Sequence, residues 1–377
     1  MTNDGSMPTD LGSEWLYADW NTMSPELIDG GFIDAATEND LNTLAGGDEG
    51  SVYYSQTMNE DGSVGPATLV EDGFKLQSSL WEEFMDFKKD ILKDQDDISY
   101  EDALDQFLAS NSFSNEEIQL LNLLFDMGET EYSGEIDEMS VKELQFWFME
   151  GGTEESYYMA VPSVGFGNTA IAYSDGIDAE FSLNSKVTDI NYEDDNNVIV
   201  SYEENGKTKK VEAKSALVTV SLGVLQAKTI SFTPELPESK LDAIDNMGFG
   251  DMNKIVLYWN NEDAIVWPDE YWFELVTTSD ETSGMFTTWF NPTSFKGVPC
   301  LVGWISGDEA EDIEDETDEV ILEQAMMHLE SMFPSISEPD TVIISRWGEY
   351  FWCQNGHCMF TLYDSLILFH YEYIFHV

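Results

Sequence analysis

Apolar residues recur with two different periods along this chain, and the change of period divides it. Between residues 40 and 150 the spacing is three and four: Leu80, Trp81, Phe84, Phe87, Ile91 and Leu92 fall on one face of a helix. The whole block therefore reads as helical. Ser99 with Asp102 and Ser114 with Glu117 have the form of helix starts, where a hydroxyl accepts an N–H that the helix leaves unpaired. The second start opens an apolar helix, Ile118 to Met127, with Gly128 as its expected stop.

From Phe181 the period shortens to two. Val187–Tyr192, Val198–Tyr202 and Lys207–Val211 read as short strands, the last two joined by Asn205-Gly206, a pair suited to a tight hairpin because both residues tolerate positive φ. Ala216–Val220 is a continuous apolar run, read as a buried strand. A short helix follows from Leu241 to Met247, and then a strand from Met252 to Trp259. Met285–Phe290, Leu301–Trp304 and Val342–Gly348 read as further strands. Thr317 is placed to start a helix with Ile321, Ala325, Met326 and Leu329 on its apolar face, ended by Pro334. Helices and strands in separate blocks predict an α+β fold.

Composition narrows the classes of function. The 377 residues include 42% hydrophobic and 13% aromatic residues, enough for two domains with cores. Against 75 acidic residues stand 15 basic ones, a net charge of −60. Such a surface repels phosphate backbones, which argues against nucleic acid, and attracts polycations, whether small amines or basic protein tails. Most of the acids are spread along the chain and need no role beyond solubility; the run from Gly307 to Val320 reads as a solvated helix flank. No apolar run is long enough to span a bilayer. Cys300, Cys353 and Cys358 form no disulfide framework, and Cys353, His357 and Cys358 lack a fourth ligand, so no metal is expected.

Lys254 is the most informative single residue. A lysine inside the run Met252–Trp259 is costly to bury unless its charge is used; otherwise it is an edge lysine whose stem packs while its head reaches water. The surrounding stretch, Thr219 to Trp259, reads TVSLGVLQAKTISFTPELPESKLDAIDNMGFGDMNKIVLYW. It resembles the flavin-dependent amine oxidases, the group of polyamine oxidases, spermine oxidases and histone-lysine demethylases. The glycines, prolines and Lys254 are in register, although Ser221 replaces the usual proline. Weaker resemblance extends from about Asp10, where Asp10-Leu11-Gly12-Ser13-Glu14-Trp15 resembles the family's "DLGA.W", to Val342–Gly348, which resembles its "V.RW" strand. Tyr17 stands where several relatives carry a histidine.

The resemblance implies FAD as cofactor and a small cationic amine, of polyamine type, as substrate. A hydride would pass from the carbon beside a neutral amine to the flavin, and oxygen would be reduced to peroxide. The lysine matching Lys254 would hold a water at the flavin and assist its reoxidation. Gly12, Ser13, Glu14 and Trp15 would touch the cofactor, Val187 would meet the adenine through its backbone, Thr219 would line the flavin and Trp347 would pack on it. The implied architecture is two interleaved domains. An incomplete, Rossmann-like FAD-binding domain would comprise 1–38 and the β-meander 155–240. A mixed-sheet and helical substrate domain would comprise 39–154 and 241–348, with 349–377 an unrelated tail.

No G-x-G-x-x-G turn precedes Asp10, and Gly46-Gly47-Asp48-Glu49-Gly50 and Gly165-Phe166-Gly167 lack the strand-turn-helix context. No Gly-Glu-x-Thr segment follows Gly348. The expectation is a fragment that neither holds FAD tightly nor oxidises amines. The competing readings are a non-catalytic acidic protein that binds cationic partners, and a flavin oxidase acting on amino acids or carotenoid precursors.

Overall fold

The computed structural model describes residues 51–58, 64–94, 97–142 and 177–347, apart from 195, 249 and 278–284; shorter pieces lie at 15–17, 41–45, 156–160, 171, 174–175 and 375–376. Strands β1 (Trp15–Tyr17), β2 (Leu41–Ala45), β3 (Ser51–Met58) and β4 (Val64–Leu69) come first. The block from residue 40 is therefore not helical throughout. The reason is legible in Ser51–Met58, where Val52, Tyr53, Tyr54 and Thr57 favour a pleated surface.

Three helices follow, α1 (Gly73–Asp94), α2 (Tyr100–Ser110) and α3 (Asn115–Tyr132). Their starts are chemical. Ser99 Oγ accepts from the backbone N–H of Asp102, and Ser114 and Glu117 form a reciprocal capping box. Helix α3 does not stop at Gly128. A helix-interior glycine costs only about 1 kcal/mol, and the helix continues one turn, ending where Ser133 turns left-handed at φ 52° and Gly134 N–H reaches Glu129 O. Phe84 is fully buried among these helices, edge-on to Phe125 at 5.1 Å and to Phe107 at 5.5 Å. Side chains of this kind stabilise a core by ~1.5–3 kcal/mol each.

After β5 (Ser156–Ala160) come β6 (Lys186–Asp194), β7 (Asn197–Glu204) and β8 (Lys207–Ala213). The β7–β8 hairpin turns through Asn205 at φ 52° and Gly206 at φ 70°, with Glu204 opposite Lys207 and Val200 opposite Val211. Next are β9 (Leu217–Val218), α4 (Leu222–Gln226), β10 (Ser231–Thr233) and α5 (Glu238–Asn246). The apolar run Ala216–Val220 is not the buried strand its composition predicts: only two residues pair, and Leu217 and Val220 are exposed. The remaining elements are β11 (Met252–Tyr258), β12 (Trp272–Val276), β13 (Thr288–Phe290), α6 (Thr293–Lys296), β14 (Cys300–Ser306), α7 (Gly307–Asp312), α8 (Asp318–Met332), β15 (Thr341–Ile344) and β16 (Phe375–His376).

The fold is α+β, in two compact units that the chain enters twice each. The first holds residues 1–174 and 252–345, the second 175–251 and 346–377. In the first, seven strands are ordered β15-β11-β14-β13-β12-β3-β4, antiparallel except for the parallel pair β12–β3. Strand alternation gives this sheet two faces. Ile255, Leu257, Phe273 and Leu275 pack against Ile321, Ala325 and Leu329 of α8. Tyr53 and Val276, on the other face, pack on α1–α3. Strands β1, β5 and β2 form a separate three-stranded sheet. In the second unit, β10-β6-β7-β8 form a four-stranded sheet and β16 pairs with β9.

Candidate active site

Lys254 lies in the middle of β11, between Asn253 and Ile255, which point to the α8 side. Its own side chain shares the opposite face with Val256 and Tyr258. The residue is 5% exposed. Trp304 stands directly opposite on β14, and the Lys254 Nζ lies 5.7 Å from its ring centroid, in range of a cation–π contact. Trp304 in turn stacks on Trp272 at 5.5 Å. The backbone at this point is clamped: Lys254 N–H donates to Ser345 Oγ at 2.8 Å, and Ser345 N–H donates to Lys254 O at 2.9 Å. Ser345 Oγ also donates to Asn253 Oδ1, and Asn253 Nδ2 donates to Ala310 O and Glu314 Oε1. The lysine thus projects from a strand whose position is fixed by a buried polar network.

Carboxylates gather over the same sheet face. Ser306, two residues along β14 from Trp304, points the same way, and its Oγ lies 3.5 Å from Thr130 Oγ1 of α3. One helical turn before Thr130 is Asp126, and Glu129 adjoins it. Burial, then Glu309 and Glu135, push the Asp126 carboxyl up to about 7. Burial pushes Glu129 up to about 9 although its Oε1 accepts from Ile136 N–H at 2.9 Å. Glu135 Oε1 accepts from Asp308 N–H at 2.8 Å, and Glu135 and Glu309 are both raised, chiefly by burial. Gly307, at φ 61°, is required here: a Cβ would come 1.9 Å from Glu135 Oε1. On β12 the buried Glu274 accepts from Thr288 Oγ1 at 2.7 Å, and burial raises it to about 7.

Sequence reasoning did not single out Asp126, Glu129, Glu135 or Glu274; of the run from Gly307 to Val320, read as a solvated flank, most acids are exposed and Glu309 alone joins this group. A signal was available: Asp126 and Glu129 follow directly on the apolar series Leu120, Leu121, Leu123, Leu124 and Phe125 in one helix, and partly buried carboxylates beside such a series are seldom idle.

The other predicted residues fall as follows. Gly12, Ser13 and Glu14 lie outside the described residues, and Trp15 opens β1, opposite Met159. Val187 sits on β6 opposite Tyr202, in the second unit. On its other side, β10 pairs only with Asp189, Ile190 and Asn191. Thr219 is exposed just after β9, and Trp347 is partly buried in the bend after β15. Cys353, His357 and Cys358 lie outside the described residues. Among the described ones no group of three His, Cys, Asp or Glu residues could hold a metal, and no helix is long and apolar enough to cross a membrane.

Residues 38–361 match the family model described as flavin containing amine oxidoreductase. The chain belongs to the flavin-containing amine oxidoreductases. Polyamine oxidase 5 of Oryza sativa subsp. japonica is 27% identical over 350 residues, covering 90% of this chain and 66% of the relative. Probable polyamine oxidase 4 of Arabidopsis thaliana is 36% identical over 171 residues, covering 45% of this chain and 33% of the relative. The chain thus spans one-third to two-thirds of these relatives' length. Among solved structures, a putrescine oxidase redesigned in its cofactor binding superposes with a TM-score of 0.64 at 17% identity, over 93% of this chain and 76% of that one. That likeness shows the fold: this chain has the α+β architecture of a flavin amine oxidase.

Proposed function

We propose that the chain carries the substrate-side chemistry of an FAD-dependent amine oxidase acting on polyamine-type substrates. The observation that carries this reading is Lys254, buried on β11 against Trp304, on the sheet face over which Asp126 and Glu129 gather. The polyamine oxidases among its relatives support the substrate class.

The residues available to FAD fit it in part. Along β6 the pairing with β10 begins only at Asp189, so the Val187 backbone stands beyond that ladder, where an adenine edge can meet it. Thr219 offers an exposed hydroxyl, and Trp347 an indole at the family's ring-packing position. Bound FAD supplies hydride acceptance from the carbon beside a neutral amine, and the imine left behind is hydrolysed by water.

The chain's own residues do the rest. An alkylammonium must lose a proton before it gives up hydride. Asp126, raised to about 7, is ionised in part near neutral pH and able to take that proton, whereas Glu129, raised to about 9, keeps its own proton there. Lys254 supplies a donor cation at a fixed point on the same face, able to hold a water or stabilise negative charge on a neighbouring group. Trp304 and Trp272 give the face an apolar, π-rich wall that excludes water and attracts a cationic amine.

Where Asp126 is ionised, its charge disfavours an amino-acid substrate, whose carboxylate it would repel. Reconstitution with FAD, followed by peroxide assay on spermine, spermidine, putrescine and a panel of amino acids, tests the reading. Turnover of polyamines alone supports it. Turnover of amino acids alone overturns it. An absorbance titration with FAD measures how tightly the chain holds the cofactor.

A further inference from the structure

Lys254 sits where one of its strand's two ladders ends. On one side it is paired with Trp304 of β14; on the other, the register between β11 and β15 stops at Ile255 and Ile344. The acceptor for the Lys254 N–H is therefore a side chain, Ser345 Oγ, at 2.8 Å. From there the hydrogens run in one direction. Ser345 Oγ–H donates to Asn253 Oδ1 at 3.0 Å, and Asn253 Nδ2 donates to Glu314 Oε1 at 3.0 Å and to Ala310 O at 3.2 Å. The relay passes from the Lys254 amide through a hydroxyl and a primary amide to a carboxylate.

Asn253 is fully buried on the face that carries Ile255, Ala310 and Ile313. A primary amide among such neighbours is costly unless its hydrogens and its oxygen are used, and here both hydrogens and the oxygen are. Bonds in series polarise one another, and a carboxylate at the end of the series strengthens the last of them. Glu314 belongs to the turn Ile313–Asp315 that follows α7; it is half-buried, while Asp315 beside it is exposed. The start of α7 is held by Asp308 N–H, which donates to Glu135 Oε1. Helix α7 is thus tied at its start to the acids around Asp126 and, just past its end, to the strand that carries Lys254.

We propose that Asn253 and Glu314 are positioning residues for Lys254. They act through Ser345 and the backbone: the relay fixes β11 at the point where its ladder to β15 has stopped, and with it the place of the Lys254 Nζ over the Trp304 ring. The inference rests on the reading of Lys254 given above and adds to it two residues whose loss leaves the lysine itself in the chain. Glu314 is the informative member, because a half-buried side chain at a turn can be changed without opening a cavity in the core.

The test uses the full chain with isotope-labelled lysine, in which the Lys254 side-chain resonance is identified by its loss in Lys254→Met. Glu314→Ala breaks the relay at its end. Glu314→Gln removes the charge but keeps an acceptor oxygen, and Asp315→Ala removes a neighbouring exposed charge. The expected result is a displaced Lys254 resonance in Glu314→Ala and little displacement in Glu314→Gln or Asp315→Ala. Asn253→Ala should displace it at least as far; if that buried substitution prevents folding, Glu314→Ala carries the test. In FAD-loaded protein, Glu314→Ala should slow flavin reoxidation about fivefold and Glu314→Gln less than about twofold, while amine affinity changes less than about twofold in both. An unmoved resonance in Glu314→Ala, equal displacement by the alanine and glutamine variants, or equal losses in reoxidation and amine affinity would each overturn the proposal. If Lys254→Met itself left reoxidation unchanged, the reading of Lys254 would fall, and the resonance in FAD-free protein would still decide whether Glu314 positions the lysine.

Discussion

At the scale of single residues, the central statement concerns Lys254. A cation inside an apolar strand persists when its surroundings use it, and here Trp304 supplies a π face while Ser345 fixes the backbone on both polar groups. Replacing it with methionine keeps the stem and removes the charge, so packing against Trp304 survives. In FAD-loaded protein, Lys254→Met is expected to slow flavin reoxidation more than tenfold, a barrier change of about 1.4 kcal/mol or more, while amine affinity changes less than threefold. Stopped-flow mixing with oxygen reads the first and anaerobic titration the second. Unchanged reoxidation would reduce Lys254 to a packing residue.

At the scale of elements, local chemistry decided what the sequence could reveal. Caps were legible because they are short-range: Ser99, Ser114 and Thr317 each accept the expected N–H, and Asn205-Gly206 makes its hairpin. Ser114→Ala removes the hydroxyl that accepts from Glu117 N–H and leaves the backbone N–H that donates to Glu117 Oε2, and a loss of about 1 kcal/mol in unfolding free energy is expected; chemical denaturation at constant m-value measures it, and no loss would show that tertiary packing alone holds α3. Elements set by distant partners were not legible. Strands β2 to β4 were hidden inside a block read as helical, because β3 is fixed by its parallel pairing with β12, more than two hundred residues away. Ala216–Val220 looked buried because its composition is apolar, yet only Leu217 and Val218 pair and Leu217 is exposed. The candidate site divided in the same way. Lys254 stood out as one charge among apolar neighbours, whereas Asp126, Glu129, Glu135 and Glu309 become a group only when α3 and α7 meet.

At the scale of the whole molecule, a chain of net charge −60 gathers some of its acids where water is scarce. Unfolded, Asp126 and Glu129 lose their protons in the ordinary carboxylate range; folded, they keep them to about 7 and about 9. The stability they contribute is complete below the ordinary range and is lost as pH rises through those values. Melting temperature is therefore expected to fall from about pH 5 to about pH 9, and Asp126→Asn to flatten the part of the fall below about pH 7. General repulsion among the acids lowers both proteins alike, so only the difference between the two curves reports Asp126. Parallel curves would show that its carboxyl is ionised in the fold. The account's central claim is that this fold presents an amine to a flavin on the Lys254 face. Anaerobic mixing of the FAD-loaded chain with spermidine tests it most directly. The account predicts that the yellow absorbance of the flavin bleaches, and returns with one peroxide per flavin when oxygen is readmitted. A flavin that stays oxidised in the presence of spermine, spermidine and putrescine would contradict it.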